Sequence, residues 1–127
     1  MKASLRSLSS IDVEEDLATW RPKAGSWSIG IRIVAGPDKG PGDESFDLTI
    51  CSVEWVDENV AKHGVFEGRH HLIVGGFQWS SIEAYVTRRV EACSGSTWDD
   101  VAEQLGRFAY WEFEDYDGRR DGRSGRA

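Results

Sequence analysis

From Trp27 to Ala35 the chain alternates without a break: Trp27, Ile29, Ile31, Ile33 and Ala35 fall on one side, Ser28, Gly30, Arg32 and Val34 on the other. An extended strand is the conformation that gathers every second residue on one face. The next eight residues, Gly36 to Asp43, include three Gly and two Pro, which break strands and close turns. A second run, Glu44 to Trp55, then places Phe46, Leu48 and Ile50 on one face and Cys51, Val53 and Trp55 on the other. So short a connection makes the pair antiparallel. A chain built on this hairpin must cover the apolar face of a sheet, which restricts what the remaining residues can do.

Those residues divide readily. Lys2 to Ser9 alternates loosely, with Ala3 and Leu5 on one face, as a first strand. Ile11 to Leu17 is acidic and has no clear period, and Trp20 to Gly25 is a Pro/Gly-punctuated loop. Val56 to Lys62 has room for one or two helical turns, and Arg69 to Val74 reads as a strand closed by Gly75-Gly76. Ser80 and Glu83 have capping-box spacing; Ile82, Tyr85, Val86, Val90 and Cys93 follow at helical spacing, with Gly95 at the expected C-cap. Thr97 opens another helix with Asp99 and Asp100 in its first turn, Val101, Ala102 and Leu105 inward, and Gly106 at its end. Tyr110 to Tyr116 closes the series as a two-faced strand, Trp111 and Phe113 on one side, Glu112 and Glu114 on the other. The expected fold is α+β: a largely antiparallel sheet with two or three helices on one face. Residues 1–116 form one domain and 117–127 a flexible Gly/Arg-rich tail.

Charge narrows the function. The net charge is −7; residues 117–127 hold four Arg against two Asp, so residues 1–116 carry −9. Direct nucleic-acid binding needs a basic surface and is disfavoured. The start lacks the apolar core of a signal peptide, and no apolar run reaches membrane-spanning length. A cytoplasmic chain with Cys51 and Cys93 reduced and buried is therefore expected, with no membrane partner.

No catalytic constellation stands out. His70 and His71 are adjacent, so a strand sends them to opposite sides, and with His63 they lack metal-ligand spacing. Neither a metal nor another cofactor is expected. Cys51 beside one of these histidines is the only nucleophile–base pair to consider, and its core-strand position argues for an inert thiol. The Gly36–Gly42 loop lacks the phosphate-cradling pattern. Of six Trp, Trp27, Trp55 and Trp111 read as core, while Trp20, in a loop, and Trp79, before a helix, suit interface anchors. Asp99, Asp100 and Glu103 on the last helix, with Glu112, Glu114 and Asp115 just after it, suit one acidic patch. Like charges on one strand face call for a cationic offset, either solvent and a partner or an internal Arg.

Several segments, in this order, resemble a family of bacterial polymorphic-toxin immunity proteins, immunity protein family eight. They are Met1-Lys2-Ala3-x-Leu5; Glu44-Ser45-Phe46-Asp47 leading to Cys51 and Trp55; and Gly68-Arg69-His70-His71-Leu72-Ile73-Val74. Ser94-Gly95-x-Thr97-Trp98-x-x-Val101-Ala102 and Trp111-Glu112-Phe113-Glu114-Asp115-Tyr116 complete the set. The resemblance covers residues 1–116 and leaves out the tail. It implies a small cytoplasmic non-enzyme that binds the C-terminal domain of a cognate toxin and occludes it. The acidity favours a basic toxin such as a nuclease. The oligomeric state is not set by these residues. Two other readings stay open: a small enzyme using His70/His71, and a self-associating regulatory module with Glu44–Trp55 as an exposed edge.

Overall fold

The computed structural model describes residues 1–113. Its strands are β1 (Ala3–Ser10), β2 (Ser28–Pro37), β3 (Glu44–Ser52), β4 (His71–Val74) and β5 (Tyr110–Trp111). Its helices are α1 (Val53–His63), between β3 and β4, then α2 (Trp79–Glu91) and α3 (Trp98–Leu105). The sheet runs β1-β2-β3-β4, with β5 also on β3, and only the β3–β4 pair is parallel. The fold is thus α+β with a mostly antiparallel sheet, as expected.

The alternation in β2 sets the core. Ile29, Ile31 and Ile33 lie opposite Ile50, Leu48 and Phe46 and are almost fully buried. Each such side chain contributes about 1.5–3 kcal/mol relative to exposure. From α2, Ile82, Val86 and Val90 close over this face, and Val101, Ala102 and Leu105 do so from α3. Leu72 and Val74 of β4 join the same core, so His71 and Ile73 face the other way. There α1 presents Trp55, stacked on His71 at 5.9 Å, so α1 lies against the opposite side from α2 and α3. The Gly36–Gly42 loop is a hairpin turn held by Arg6, whose guanidinium donates to the carbonyls of Pro37, Gly40 and Gly42.

Five expectations need correction. The second strand ends at Ser52, not Trp55. The buried Ser52 Oγ accepts from the N–H of Trp55 and so caps α1, and it also accepts from the N–H of Trp27. Val53 and Trp55 therefore belong to a helix longer than the Val56–Lys62 estimate. Because β3 lies between β2 and the β4/β5 pair, it is interior and offers no edge for self-association. The Ser80–Glu83 capping box does not form: α2 begins at Trp79, with Gln78 at the N-cap and no side-chain bond there. The helix closes at Ala92, and Gly95 instead donates its N–H to Met1 O.

The closing strand is also shorter than expected. It pairs over two residues, Tyr110 with Asp47 and Trp111 with Phe46, and does not continue along Ser45 and Glu44 of β3. Glu112 and Phe113 follow as a turn; Glu114, Asp115 and the tail lie outside the described residues. Trp111 is buried against Phe46 and Phe113 packs on the core, as their alternation suggested.

Candidate functional site

The acidic segment without a period, residues 11–19, folds into a tightly pinned loop. Ser10 Oγ accepts from the N–H groups of Asp12 and Val13. Asp12 accepts from Gly30 N–H at 2.6 Å, and Asp16 accepts from Ala18 N–H at 3.0 Å. Leu17 is buried beneath. These bonds use two of the loop's carboxylates to fix its shape. They leave Glu14 and Glu15 exposed, with no side-chain hydrogen bond or ion pair among the described residues.

Trp20 and Trp79, far apart in sequence, meet through Phe77. The Trp20–Phe77 rings are edge-on at 4.9 Å, Phe77 and Trp79 stack at 6.4 Å, and Trp27 closes the group from the core at 5.5 Å from Phe77. Both expected anchors are half-buried rather than free-standing. A cleft of about 790 Å³ opens between the acidic loop and the start of α2, with Asp12, Glu14, Glu15, Asp16, Trp79 and Glu83 on its walls. A second cleft of about 590 Å³ also reaches Trp79 and Glu83 and adds Arg21 and Phe77. The result is an indole between carboxylates, the pairing that accepts an Arg or Lys side chain through cation–π and charge-assisted contacts. Sequence reasoning missed Glu14, Glu15 and Glu83. The density of acids beside Trp20 was a usable signal for the first two; the approach of Trp79 and Glu83 was not, because it depends on how α2 crosses β1.

The other expected acids lie elsewhere. Glu112 lines a smaller cleft of about 280 Å³ with Arg32, Ser45, Asp47 and Tyr110. There Arg32 makes a forked pair with Asp47, Nε–Oδ1 at 3.0 Å and Nη2–Oδ2 at 3.1 Å. The Asp47 carboxylate first, and Glu112 behind it, raise the Arg32 pKa above its ordinary value. For Glu112 the cationic offset is therefore internal. Asp99, Asp100 and Glu103 are exposed on α3, Asp99 and Asp100 in its first turn, and none of the three lines the Trp79 clefts. Of the six acids expected to form one patch, Glu114 and Asp115 lie outside the described residues, and none of the other four lines the Trp79 clefts.

A further carboxylate went unnoticed in the sequence. Glu44 Oε1 accepts from Trp111 Nε1 at 2.8 Å and from Trp98 Nε1 at 3.2 Å, tying α3 and β5 to the start of β3. The histidines are also engaged: His70 Nε2 lies 2.7 Å from Gly106 O, and His71 Nδ1 lies 2.8 Å from Arg69 O. His71 is further packed between Trp55 and Phe66. Burial pushes the thiols of Cys51 and Cys93 above their ordinary pKa, away from nucleophilic use. Among the described residues no group of three His, Cys, Asp or Glu could hold a metal, and no helix is long and apolar enough to cross a membrane.

The family model described as Immunity protein 8 matches residues 3–116. No curated protein and no solved structure matches the chain.

Proposed function

The chain belongs to the Immunity protein 8 family, which makes it a toxin immunity protein, and we propose on that premise that it occludes a basic toxin domain, a nuclease in the favoured case. The observation that carries this reading is the acidic cleft around Trp79. A nuclease presents cationic side chains where nucleic acid binds. An acidic, pre-formed surface can occupy them without chemistry of its own.

In this reading Trp79, supported by Trp20 through Phe77, is the anchor, and Glu14, Glu15 and Glu83 receive toxin cations. The acids Asp99, Asp100, Glu103, Glu112, Glu114 and Asp115 add to the long-range field that speeds encounter. The chain acts by occupancy and not as an enzyme, and it works in the cytoplasm, where a delivered nuclease meets its substrate.

The test is protection. Expression of the C-terminal domain of the cognate toxin should arrest growth, co-expression of this chain should restore it, and the two should co-elute as a complex. Growth arrest that persists despite soluble chain, with no complex, would overturn the proposal.

A further inference from the structure

We infer that the free edge of β4, together with the groove between β4 and α2, receives an extended segment of the partner as an added strand. This rests on the immunity reading above and names a second element of its interface.

The edge is defined by the ladder. In the parallel pairing of β3 and β4, Thr49 lies opposite His71 and Cys51 opposite Ile73, and Thr49 N–H donates to His70 O at 3.1 Å. That phase routes the bonds to β3 through Leu72 and Val74. The N–H and C=O of Ile73 therefore point away from the sheet, where no strand pairs with β4 among the described residues. The Ile73 side chain is 48% exposed, unusual for an Ile on a strand.

Beside this edge runs a groove of about 630 Å³. Leu72, Ile73 and Val74 line one side, Ile82 and Tyr85 of α2 the other, and Gly75 and Gly76 leave its end without side chains. A backbone edge facing a helix across an apolar channel is the arrangement that binds an extended peptide: main-chain bonds hold it, and alternate side chains enter the channel.

Charge says what kind of segment fits. The chain has 22 Asp and Glu, yet none lines this groove. The Arg88 guanidinium lies 5.4 Å from the centre of the ring of Tyr85, one of the groove's wall residues. The occupant is therefore an uncharged or weakly acidic strand, apolar at every second residue, unlike the cationic surface suited to the cleft. Gln78 lines both this groove and the cleft containing Trp79, so one partner can reach both. An added strand of a few residues covers only part of the roughly 800 Å² per partner that a stable complex buries. That favours a toxin segment already anchored at Trp79 over a second copy of this chain.

The experiment uses the full chain and the cognate toxin domain, with amide hydrogen exchange and affinity as readouts. In the complex the Ile73 amide should exchange at least about tenfold more slowly than in the free chain. Ile73→Pro removes that outward N–H without removing a bond to β3, and edge strands accept proline there. It should weaken binding about tenfold or more, the worth of one or two backbone hydrogen bonds and the lost strand contact. Tyr85→Ala, on the opposite wall, should weaken binding in the same direction while the circular dichroism spectrum of the chain is unchanged. Ile73 exchange that stays fast in the complex, or wild-type affinity in both variants, overturns the strand-addition inference and leaves the immunity reading standing. Failure of the wild-type chain to bind the toxin domain overturns both.

Discussion

Two regions of this molecule set tryptophan against carboxylate, and they do so in opposite ways. At Glu44 one carboxylate oxygen takes the indole N–H groups of both Trp98 and Trp111, and Trp111 is fully buried. At Trp79 the indole stacks on Phe77, while the carboxylates of Glu14, Glu15 and Glu83 in the adjoining cleft form no internal hydrogen bond or ion pair among the described residues. In the first region the charge is satisfied by the fold, so it stabilises the fold. In the second the fold leaves the charges to solvent, so their free energy is available to a partner. Abundance of acids near aromatic residues does not separate the two cases; the destination of the indole N–H and the carboxylate oxygen does.

The sharpest way to break this contrast is to show that the two regions respond alike to substitution. Trp111→Ala should cost about 4 kcal/mol of unfolding free energy, because it empties a site packed on Phe46 and strips Glu44 of a donor. Urea denaturation checks this; a loss under about 1 kcal/mol would place Trp111 outside the core. Glu44→Ala should cost about 2–3 kcal/mol by leaving two indole donors without their acceptor, and Glu44→Gln, which keeps an oxygen there, clearly less. Ser52→Ala should follow at about 1–2 kcal/mol, since its hydroxyl caps α1 and also accepts from Trp27 N–H.

At the other region, reversing Glu14, Glu15 and Glu83 together to Lys should change stability by only about 0.5 kcal/mol or less. The smallest effect is at Asp38, whose pKa the backbone N–H of Lys2 holds below the ordinary value. A depressed carboxylate stabilises above its unfolded pKa, near 4, and loses that contribution as pH falls through the folded value. Asp38→Asn should therefore lower stability slightly at neutral pH, leave strongly acid pH unchanged, and so flatten the acid limb of a stability–pH curve below about pH 4.

Much of the fold was legible in the residues because it rests on short-range pattern. The β2 alternation, the hairpin, the Thr97 cap and the inward faces of α2 and α3 follow from periodicity and local hydrogen-bonding chemistry. The errors came where tertiary partners decide. Ser52 reads as one more strand residue until Trp55 N–H is known to need a cap. Gln78 rather than Ser80 starts α2, although serine is the better cap by propensity. The closing strand ends at Trp111 because the backbone turns at Glu112 and Phe113, although their side-chain alternation continues the strand pattern.

The site was legible in part. Trp20 and Trp79 were singled out from their loop and pre-helix positions, and they come together. The acids chosen beside them were the C-terminal ones, because strand alternation gave Glu112 and Glu114 a shared face. The loop carboxylates Glu14 and Glu15 have no such pattern, and their closeness to Glu83 arises only when α2 packs beside β1.

If a basic toxin lands in the Trp79 cleft, the charges there must govern how fast it arrives. The direct measurement is the association rate of the chain with the cognate toxin domain, wild type against the Glu14→Lys, Glu15→Lys, Glu83→Lys variant, across ionic strength. The wild-type rate should fall about tenfold or more between low and high salt, and the variant should be at least about tenfold slower at low salt with little salt dependence left. Equal rates and equal salt slopes for the two proteins would contradict the claim and move the docking surface elsewhere.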